Sequence, residues 1–280
     1  MATGVVGATS KLGGLVVDGL RARGHEVVAL VRSPAKVQAG GIAVRRCDLV
    51  RPETLDPALD GLEVVVSVAG ASLMPWPVQP RQTFQAVDAQ GHAALAEAAA
   101  HQGVRRVVYV SVFGDAAMEP LAYVQAHRDA EEALISAVPE VVVVRPTGLF
   151  GAFDQLVPLA RRGVAVNAGG GTAKTNPVAE EDVAAVLVDA ADGGIPPGVV
   201  EVGGPEVLTR SQIWDLALAA HGRAGLRLPG SAMGIRAAAA AMRLVDRRAA
   251  DVLQFVAHIL THDGVAPRVG TRTLGEHWGI

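Results

Sequence analysis

The sequence predicts an α/β fold in which a doubly wound parallel sheet carries a small, mainly helical C-terminal lobe. Over the first 150 residues, short and nearly all-apolar runs rich in valine alternate with longer segments of helical periodicity. This alternation is typical of parallel strands that are covered by helices on both faces. Beyond residue 150 the valine runs give way to glycine-rich loops between helical segments. We therefore expect a sheet domain at residues 1–150, with residues 151–280 interleaved with it.

Each predicted element follows from its period and length. Strands are predicted at residues 4–7, 26–31, 42–47, 64–68, 107–111 and 141–145. Helices are predicted between them at residues 11–23, 54–59, 82–101 and 122–136. The C-terminal part adds helices at 180–191, 211–221 and 232–260 and a strand near 199–202. Because half of the residues are apolar and only 4% are aromatic, Val, Ala and Leu must fill the core.

Composition argues against several classes of partner. A net charge of −3 gives no electrostatic reason to bind nucleic acid or an anionic membrane. The single cysteine, Cys47, cannot form an internal disulfide, which fits a reducing cytoplasm. Residues 5–20 lack the basic start of a secretory signal, and the alanine-rich run at 237–241 is too short to span a bilayer. We expect a cytoplasmic protein without a membrane partner, as a monomer or a homodimer.

The first predicted strand leads directly into a glycine-containing loop and then an apolar helix. A helix N-terminus presents unpaired N–H groups and the positive end of a dipole, which suits a pyrophosphate. Gly7 permits the tight turn, Gly13 permits close packing of helix on strand, and Ser10 stands where a glycine is usual. The predicted phosphate-binding residues are Gly7, Thr9, Ser10, Lys11, Leu12 and Gly13. This position of the loop predicts a dinucleotide ligand.

The end of the second strand indicates which dinucleotide binds. NAD sites place a carboxylate there for the ribose 2′-hydroxyl, whereas NADP sites use arginine. This chain has Arg32, Ser33 and Lys36, with no carboxylate among residues 29–36. Arginine pairs bidentately with a phosphate, and the other two side chains add a hydroxyl and a charge. The sequence therefore predicts NADP(H).

Further motifs carry a family resemblance over most of the chain. They are Cys47-Asp48-Leu49, Ser67-Val68-Ala69-Gly70, the stretch 103–111, the stretch 144–150, Asn176-Pro177-Val178 with residues 181–184, and the stretch 203–209. In order and spacing they resemble the atypical or extended short-chain dehydrogenase/reductases, in particular the NmrA-like NAD(P)-binding group. The resemblance implies a Rossmann-type core at 1–150 that binds NADP(H), with substrate-side segments and a helical lid at 151–280. It implies further cofactor contacts from Asp48, Leu49, Val68, Ala69, Gly70, Pro146 and Thr147.

The resemblance also implies a catalytic group of Ser, Tyr and a Lys four residues after the Tyr. In that group Tyr is the acid or base, Ser orients the substrate oxygen, and Lys binds the ribose and lowers the Tyr pKa. Ser111 and Tyr123 stand in the expected places, but His127 occupies the lysine position. Histidine is only partly charged near neutral pH, so it activates a tyrosine less.

Three hypotheses about function follow from this departure. In the first, Ser111, Tyr123 and His127 form a variant site for carbonyl reduction or alcohol oxidation. In the second, the fold binds NADP(H) as a redox sensor or regulatory protein without turnover. In the third, the pocket performs an isomerisation, dehydration or cyclisation. The first is favoured, and the other two stay open.

Other candidates are weaker. No metal site is predicted. A single cysteine cannot form a thiolate zinc site, and although His258 and His262 are four residues apart, the glutamate that follows the first histidine in zinc proteases is missing. The proline-broken loop at 74–80 follows a strand, so its Met74 and Trp76 either cover the substrate or belong to a plain surface loop. Apolar C-terminal helices are predicted to form a lid, which favours an apolar small-molecule substrate.

Overall fold

The computed structural model describes residues 1–36, 41–73 and 83–280. The strands are β1 (Ala2–Val6), β2 (Glu26–Val31), β3 (Ala43–Arg46), β4 (Val64–Ser67), β5 (Arg106–Val110), β6 (Glu140–Pro146), β7 (Val164–Ala168), β8 (Lys174–Thr175), β9 (Gly198–Val202), β10 (Leu208–Thr209) and β11 (Leu226–Gly230). The helices are α1 (Lys11–Ala22), α2 (Leu55–Leu59), α3 (Gln90–His101), α4 (Ala122–Ala137), α5 (Phe150–Phe153), α6 (Val157–Arg161), α7 (Glu180–Ala191), α8 (Arg210–Ala219), α9 (Ala232–Met242), α10 (Arg247–Ile259) and α11 (Leu274–Trp278).

The main sheet of the described chain has seven strands in the order β3-β2-β1-β4-β5-β6-β9. Every neighbouring pair in it is parallel. The strand order reverses between β1 and β4, and in open α/β sheets this switch point opens a crevice at the carboxyl edge where ligands bind. The predicted doubly wound parallel sheet is confirmed.

Two apolar layers cover the sheet. On one face α1 and α7 bury Val16, Leu20 and Leu187 against valines of the central strands. On the other face α2, α3 and α4 bury side chains such as Leu95 and Leu134. Valine, alanine and leucine supply most of both layers, as the low aromatic content requires. Each fully buried leucine or valine contributes about 1.5–3 kcal/mol, so these layers fix the loops at the sheet edge.

The C-terminal part does not fold apart from the sheet. Strand β9 pairs with β6 and so adds the last strand of the main sheet. Two small sheets pair β10 with β8 and β11 with β7. A boundary at residue 150 stays a prediction, while the interleaving is visible in the position of β9. None of the helices within the described ranges is both long and apolar enough to cross a membrane.

Two predicted helices differ from the observed ones. The single helix expected at 232–260 is wrong, because the chain breaks between α9 and α10. Asp246 causes the restart, since its carboxylate accepts a hydrogen bond from the Ala249 N–H at 3.0 Å and caps α10. The helix expected at 82–101 becomes a π-helical turn at Gln85–Ala89 followed by α3. Residue 82 lies outside the described part of the chain.

Candidate functional site

The loop between β1 and α1 has the geometry of a phosphate-binding turn. Gly7 has φ +85°, and a Cβ there would lie 3.0 Å from the Ala69 backbone nitrogen. Ser10 caps α1, accepting from the Gly13 N–H at 3.0 Å and donating to the Gly7 carbonyl at 2.9 Å. A Cβ on Gly13 would lie 2.2 Å from the Gly7 oxygen, so only glycine fits. No acidic side chain occupies the first turn of α1, which leaves its dipole available to an anion.

The other loop residues have separate roles. Thr9 is exposed at the loop surface, whereas Leu12 is buried in the layer beneath α1. Lys11 Nζ lies 3.1 Å from Glu180 Oε2, and Glu180 is buried at the start of α7. The other carboxylate oxygen of Glu180 accepts from the Gly151 N–H at 3.1 Å. Lys11 therefore joins the phosphate loop to the C-terminal segments; a phosphate contact from it stays a prediction.

Basic and hydroxyl side chains follow β2 at the carboxyl edge of the sheet. Arg32 and Ser33 are exposed immediately after Val31. No hydrogen bond or ion pair joins Arg32 to another residue of the described ranges. Lys36 ends a short 3-10 turn, but its side chain lies outside the described part. A contact of this exposed guanidinium with a 2′-phosphate stays a prediction.

The loops after β3 and β4 lie at the same edge of the sheet as the phosphate turn, and their contacts with a cofactor stay predictions. Asp48 is partly buried after β3 and accepts from the Val50 N–H at 3.3 Å, while Leu49 is buried in the core. After β4, Val68 donates its backbone N–H to the Val6 carbonyl at 3.0 Å. The segment Val68, Ala69 and Gly70 thus runs along the turn at Gly7, the placement expected of residues beside a bound dinucleotide.

Ser111 belongs to a buried ionic cluster. Its hydroxyl donates to Glu131, a carboxylate that is only 5% exposed. Glu131 also accepts from Arg128 at 2.7 Å and from Arg145 Nε at 3.0 Å. The hydrogen bond to Glu131 raises the pKa of the Arg145 guanidinium. The cluster orients the Ser111 oxygen at the end of β5.

Tyr123 lies in an apolar environment at the start of α4. Its ring centroid is 5.0 Å from Phe84, 4.9 Å from Phe255 and 4.8 Å from His127. Ala71, Val252 and other apolar side chains complete the cluster around it. Burial is the main cause that raises the pKa of Tyr123 well above its usual value, with a smaller effect of Asp88. The hydroxyl therefore keeps its proton at neutral pH.

His127 is bound to a different tyrosine. Its Nδ1 lies 2.6 Å from the hydroxyl of Tyr109, which is completely buried in β5. Burial lowers the pKa of His127 to about 3, and repulsion from His92 and Arg128 acts in the same direction. A neutral imidazole supplies no positive charge, so His127 does not reproduce the electrostatic effect of a lysine on Tyr123. A ribose contact or proton relay through His127 stays a prediction.

Sequence reasoning missed a second buried polar group beside Tyr123. Asp88 is fully buried in the π-helical turn; its Oδ1 accepts from the Ala71 N–H at 3.0 Å, and its Oδ2 has no hydrogen-bond partner among the described residues. Burial raises the pKa of Asp88 to about 7, against the lowering effects of the Ala71 N–H and Arg248. His92 bonds to Ser67 at 2.9 Å. The available signal was the spacing of Asp88 and His92 by four residues, which places both on the same face of a helical segment.

The segments after β6 close the other end of the crevice. Pro146 is buried, and the Thr147 hydroxyl donates to the Asn176 carbonyl at 2.5 Å. The completely buried Asn176 side chain donates to the Gly204 and Ala266 carbonyls at 3.1 and 2.9 Å. It thereby ties three separate segments together, which the sequence did not reveal. The loop with Met74 and Trp76 lies outside the described residues.

Comparisons with known proteins agree with this geometry. A sequence profile described as NAD(P)H-binding matches residues 7–193, from the phosphate loop to just beyond α7. Sterol demethylase protein B of Methylococcus capsulatus is 31% identical over 258 residues, which cover 82% of this chain and 78% of that protein. Ceramide reductase of Caulobacter vibrioides is 33% identical over 193 residues, or 66% of this chain and 59% of that protein. A mitochondrial NADH dehydrogenase (ubiquinone) 1 alpha subcomplex subunit 9 of Arabidopsis thaliana is 28% identical over 230 residues. That match covers 76% of this chain but spans only 56% of the plant protein.

Solved structures share the fold at lower identity. An NADPH-dependent quinone oxidoreductase of Escherichia coli, crystallised with NADPH, has a TM-score of 0.76 at 24% identity, covering 99% of this chain and 98% of that one. A nucleoside-diphosphate-sugar epimerase of Staphylococcus aureus has a TM-score of 0.75 at 18% identity, covering 93% and 90%. The same fold thus serves proteins that are described by different reactions.

Proposed function

The chain belongs to the NAD(P)H-binding family, and from that premise we propose that it is an NADP(H)-dependent oxidoreductase. Its proposed substrate is a small, apolar organic molecule with a carbonyl or hydroxyl group, and reduction is the favoured direction. Within the family, the motif resemblance supports a place among the NmrA-like members of the short-chain dehydrogenase/reductases. Two features of the phosphate turn support dinucleotide binding: Gly7 and Gly13 permit a backbone packing that a Cβ would block, and no acidic side chain lies in the first turn of α1.

One structural observation carries this proposal. The segment after β4 contacts the phosphate turn at one end and the Tyr123 environment at the other. Ala69 lies against Gly7, and Ala71 packs in the apolar cluster that contains Tyr123. A ligand whose phosphates lie at α1 and that follows this segment therefore reaches the tyrosine. The proximity supports a redox site at the Tyr123 end of the crevice.

The choice of NADP over NAD rests on Arg32. A bound 2′-phosphate offers a bidentate partner to this exposed guanidinium, whereas the 2′-hydroxyl of NAD has no carboxylate to receive it among residues 29–36. Ser33 follows Arg32 at the surface and supports the same choice.

The protonated hydroxyl of Tyr123 supports a role as the acid in a reduction. When bound, the nicotinamide supplies or accepts a hydride at this site. Tyr123 is protonated at neutral pH, which is the form that protonates the oxygen of a carbonyl substrate during reduction, and its raised pKa makes it a weaker acid than an ordinary tyrosine. Ser111 is the second proposed contact to the substrate oxygen, and its hydroxyl would have to turn away from Glu131 to donate there. The apolar side chains around Tyr123 favour an apolar substrate.

The experiment measures NADPH oxidation with a panel of lipophilic quinones, aldehydes and ketones, for wild type and Tyr123→Phe. We expect the substitution to lower kcat by about 10²–10⁴-fold, the usual contribution of a general acid, and to leave NADPH affinity unchanged. Tyr109→Phe removes the hydroxyl of the other of the chain's two tyrosines and is expected to lower stability with little change in kcat. Equal activity of Tyr123→Phe and wild type would contradict the role of Tyr123.

A redox sensor without turnover is the second candidate, and the state of His127 favours it. The residue at the lysine position is neutral and bonded to Tyr109, so it supplies no positive charge to Tyr123. A sensor binds NADPH and NADP⁺ with different affinities and oxidises NADPH with none of the carbonyl compounds. The same panel, combined with titrations of both cofactor forms, separates the two candidates.

A further inference from the structure

The turn that joins α9 to α10 exposes two large apolar side chains. Leu244 is 91% exposed and Val245 is 86% exposed, the highest values among the large hydrophobic residues of the described ranges. They lie between Arg243 and Asp246, and we call residues 243–246 the hairpin tip. Single exposed apolar residues are common on protein surfaces, but two adjacent ones at the end of a helical hairpin form a small exposed apolar patch.

Helix α9 extends this apolar surface. Ala239 is the one buried residue of the helix, and Arg236 is its one charged residue. Met233 is 79% exposed, and four of the helix's alanines are exposed as well. A helix on a water-facing surface normally turns its apolar stripe to the core and its charges to solvent. Here the apolar residues face outward, which indicates a surface that binds a partner.

Arginines surround the apolar surface. Arg236, Arg243 and Arg247 are all exposed. The nearest carboxylate in sequence, Asp246, is occupied as the cap of α10 through the Ala249 N–H. Basic residues beside exposed apolar ones are the composition of segments that lie in a membrane interface.

Charge decides between two occupants of this surface. A second copy of the chain, related by a two-fold axis, would place the same patch against itself and bring the arginines of both copies together. An anionic bilayer instead offers phosphates to the arginines and an apolar layer to the tip. We propose that α9 and the hairpin tip bind the surface of an anionic phospholipid membrane, with Leu244 and Val245 inserted at the boundary between headgroups and acyl chains.

The proposal departs from the expectation drawn from overall charge. A net charge of −3 averages over the chain, whereas a membrane responds to the charges within about one Debye length, roughly 8–10 Å, of its surface. The three arginines lie within or beside the apolar patch. Asp251 of α10 interacts electrostatically with Arg243 and Arg247 and offsets part of their charge. Residues 232–259 hold four arginines against two aspartates, so the local charge of the hairpin is positive although the chain as a whole is acidic.

The hairpin also connects this surface to Tyr123. The Phe255 ring of α10 lies 4.9 Å from the Tyr123 ring, and Val252 of α10 lies in the same apolar cluster. A membrane-bound hairpin would place the Tyr123 pocket near the lipid phase. This consequence, which rests on the proposed function, identifies the substrate class as membrane-dissolved, lipophilic carbonyl compounds.

Vesicle flotation of the full chain tests the proposal without relying on activity. Vesicles of phosphatidylcholine alone are compared with vesicles that contain about one third phosphatidylglycerol, at low and high salt. We expect binding to the anionic vesicles that high salt weakens, and about fivefold weaker binding for each arginine removed in Arg236→Gln and Arg243→Gln. The double variant Leu244→Ser/Val245→Ser is expected to bind at least about tenfold more weakly.

Matched controls come from exposed residues elsewhere. Ile135→Ser removes an apolar side chain that is 55% exposed on α4, and Arg162→Gln removes an exposed arginine. Both are expected to bind vesicles like wild type. A fluorophore on Leu244→Cys reports insertion, because the native thiol, Cys47, is only 2% exposed. Insertion moves its emission to shorter wavelength with anionic vesicles.

Several results would overturn the proposal. They are equal binding to both kinds of vesicle, unchanged binding of the Leu244→Ser/Val245→Ser variant, and the absence of vesicle binding. A concentration-dependent dimer that this variant abolishes would assign the surface to a second copy instead. NADPH binding by each variant shows that the fold is intact, so failure here is separate from failure of the proposed function.

Discussion

At the level of single residues, buried polar groups distinguish this site from a simple apolar crevice. Asp88, His92 and His127 have almost no exposed surface. Burial raises the pKa of Asp88 and lowers the pKa of both histidines, and each shift favours the neutral form of the side chain. His92 and His127 are uncharged at neutral pH, and Asp88 titrates near it. His92 and His127 therefore supply no positive charge that would lower the pKa of Tyr123, while the partly ionised Asp88 raises it.

Asp88→Asn is expected to change how stability depends on pH. Because the folded-state pKa is about 7 and the ordinary value is 3.8, the folded chain holds a proton between these limits that the unfolded chain releases. The free energy of unfolding of wild type, relative to the variant, should therefore fall as pH rises from about 4 to 7, by at most about 1.4 kcal/mol per pH unit. Denaturant titrations at several pH values measure this difference. The substitution Glu132→Gln at an exposed position is the control. If the difference in the free energy of unfolding between wild type and Asp88→Asn does not change with pH, the pKa of Asp88 is not raised in the folded chain.

Glu131→Gln is expected to destabilise the chain because Arg128 and Arg145 lose their charged partner. Glu131 accepts from Arg128 and Arg145, and removing its charge leaves two half-buried guanidinium groups with a neutral partner. Breaking a buried pair of this kind costs about 3 kcal/mol or more. Chemical denaturation compares this variant with Glu132→Gln at the exposed neighbouring position. Equal stabilities of the two variants would show that the cluster around Ser111 contributes nothing.

At the level of elements, the N-terminus of α1 is the most constrained part of the crevice. The helix starts at a serine cap, carries no acidic residue in its first turn and contacts the β1 carboxyl end through Gly13. Two adjacent glycines in this turn have different surroundings. A Cβ at Gly13 would lie 2.2 Å from a backbone oxygen, while a Cβ at Gly14 would have no atom within 4 Å.

Gly13→Ala and Gly14→Ala form a matched pair on one helix. We expect Gly13→Ala to lose dinucleotide binding and stability, because the clash is with the Gly7 backbone and moves the phosphate turn. Gly14→Ala should retain binding and raise the free energy of unfolding by about 0.5–1 kcal/mol, the helix preference of alanine over glycine. Thermal unfolding and NADPH titration measure both effects. Normal NADPH affinity in Gly13→Ala would contradict the assigned turn geometry.

At the level of the whole molecule, the sequence predicted the order of the main elements and the place of the phosphate loop, because both follow local patterns. Partnerships between distant residues could not be predicted in this way. Lys11 with Glu180, Ser111 with Glu131 and His127 with Tyr109 join residues from different elements and carry no periodic signal. The break at Asp246 was also missed, since no glycine or proline marks it. The cytoplasmic location, the oligomeric state and the individual site roles stay predictions.

Titration of the full chain with NADPH and with NADH tests the central claim most directly. The account predicts tighter binding of NADPH, and a loss of about tenfold or more in Arg32→Ala, since a charge-assisted bidentate contact contributes about 1.5–3 kcal/mol. Arg21→Ala, an exposed arginine in the last turn of α1, is the matched control and should bind like wild type. NADH affinity should be the same in all three proteins. Equal affinity of wild type for the two cofactors, or no effect of Arg32→Ala on NADPH, would contradict the assignment of NADP(H) to this crevice.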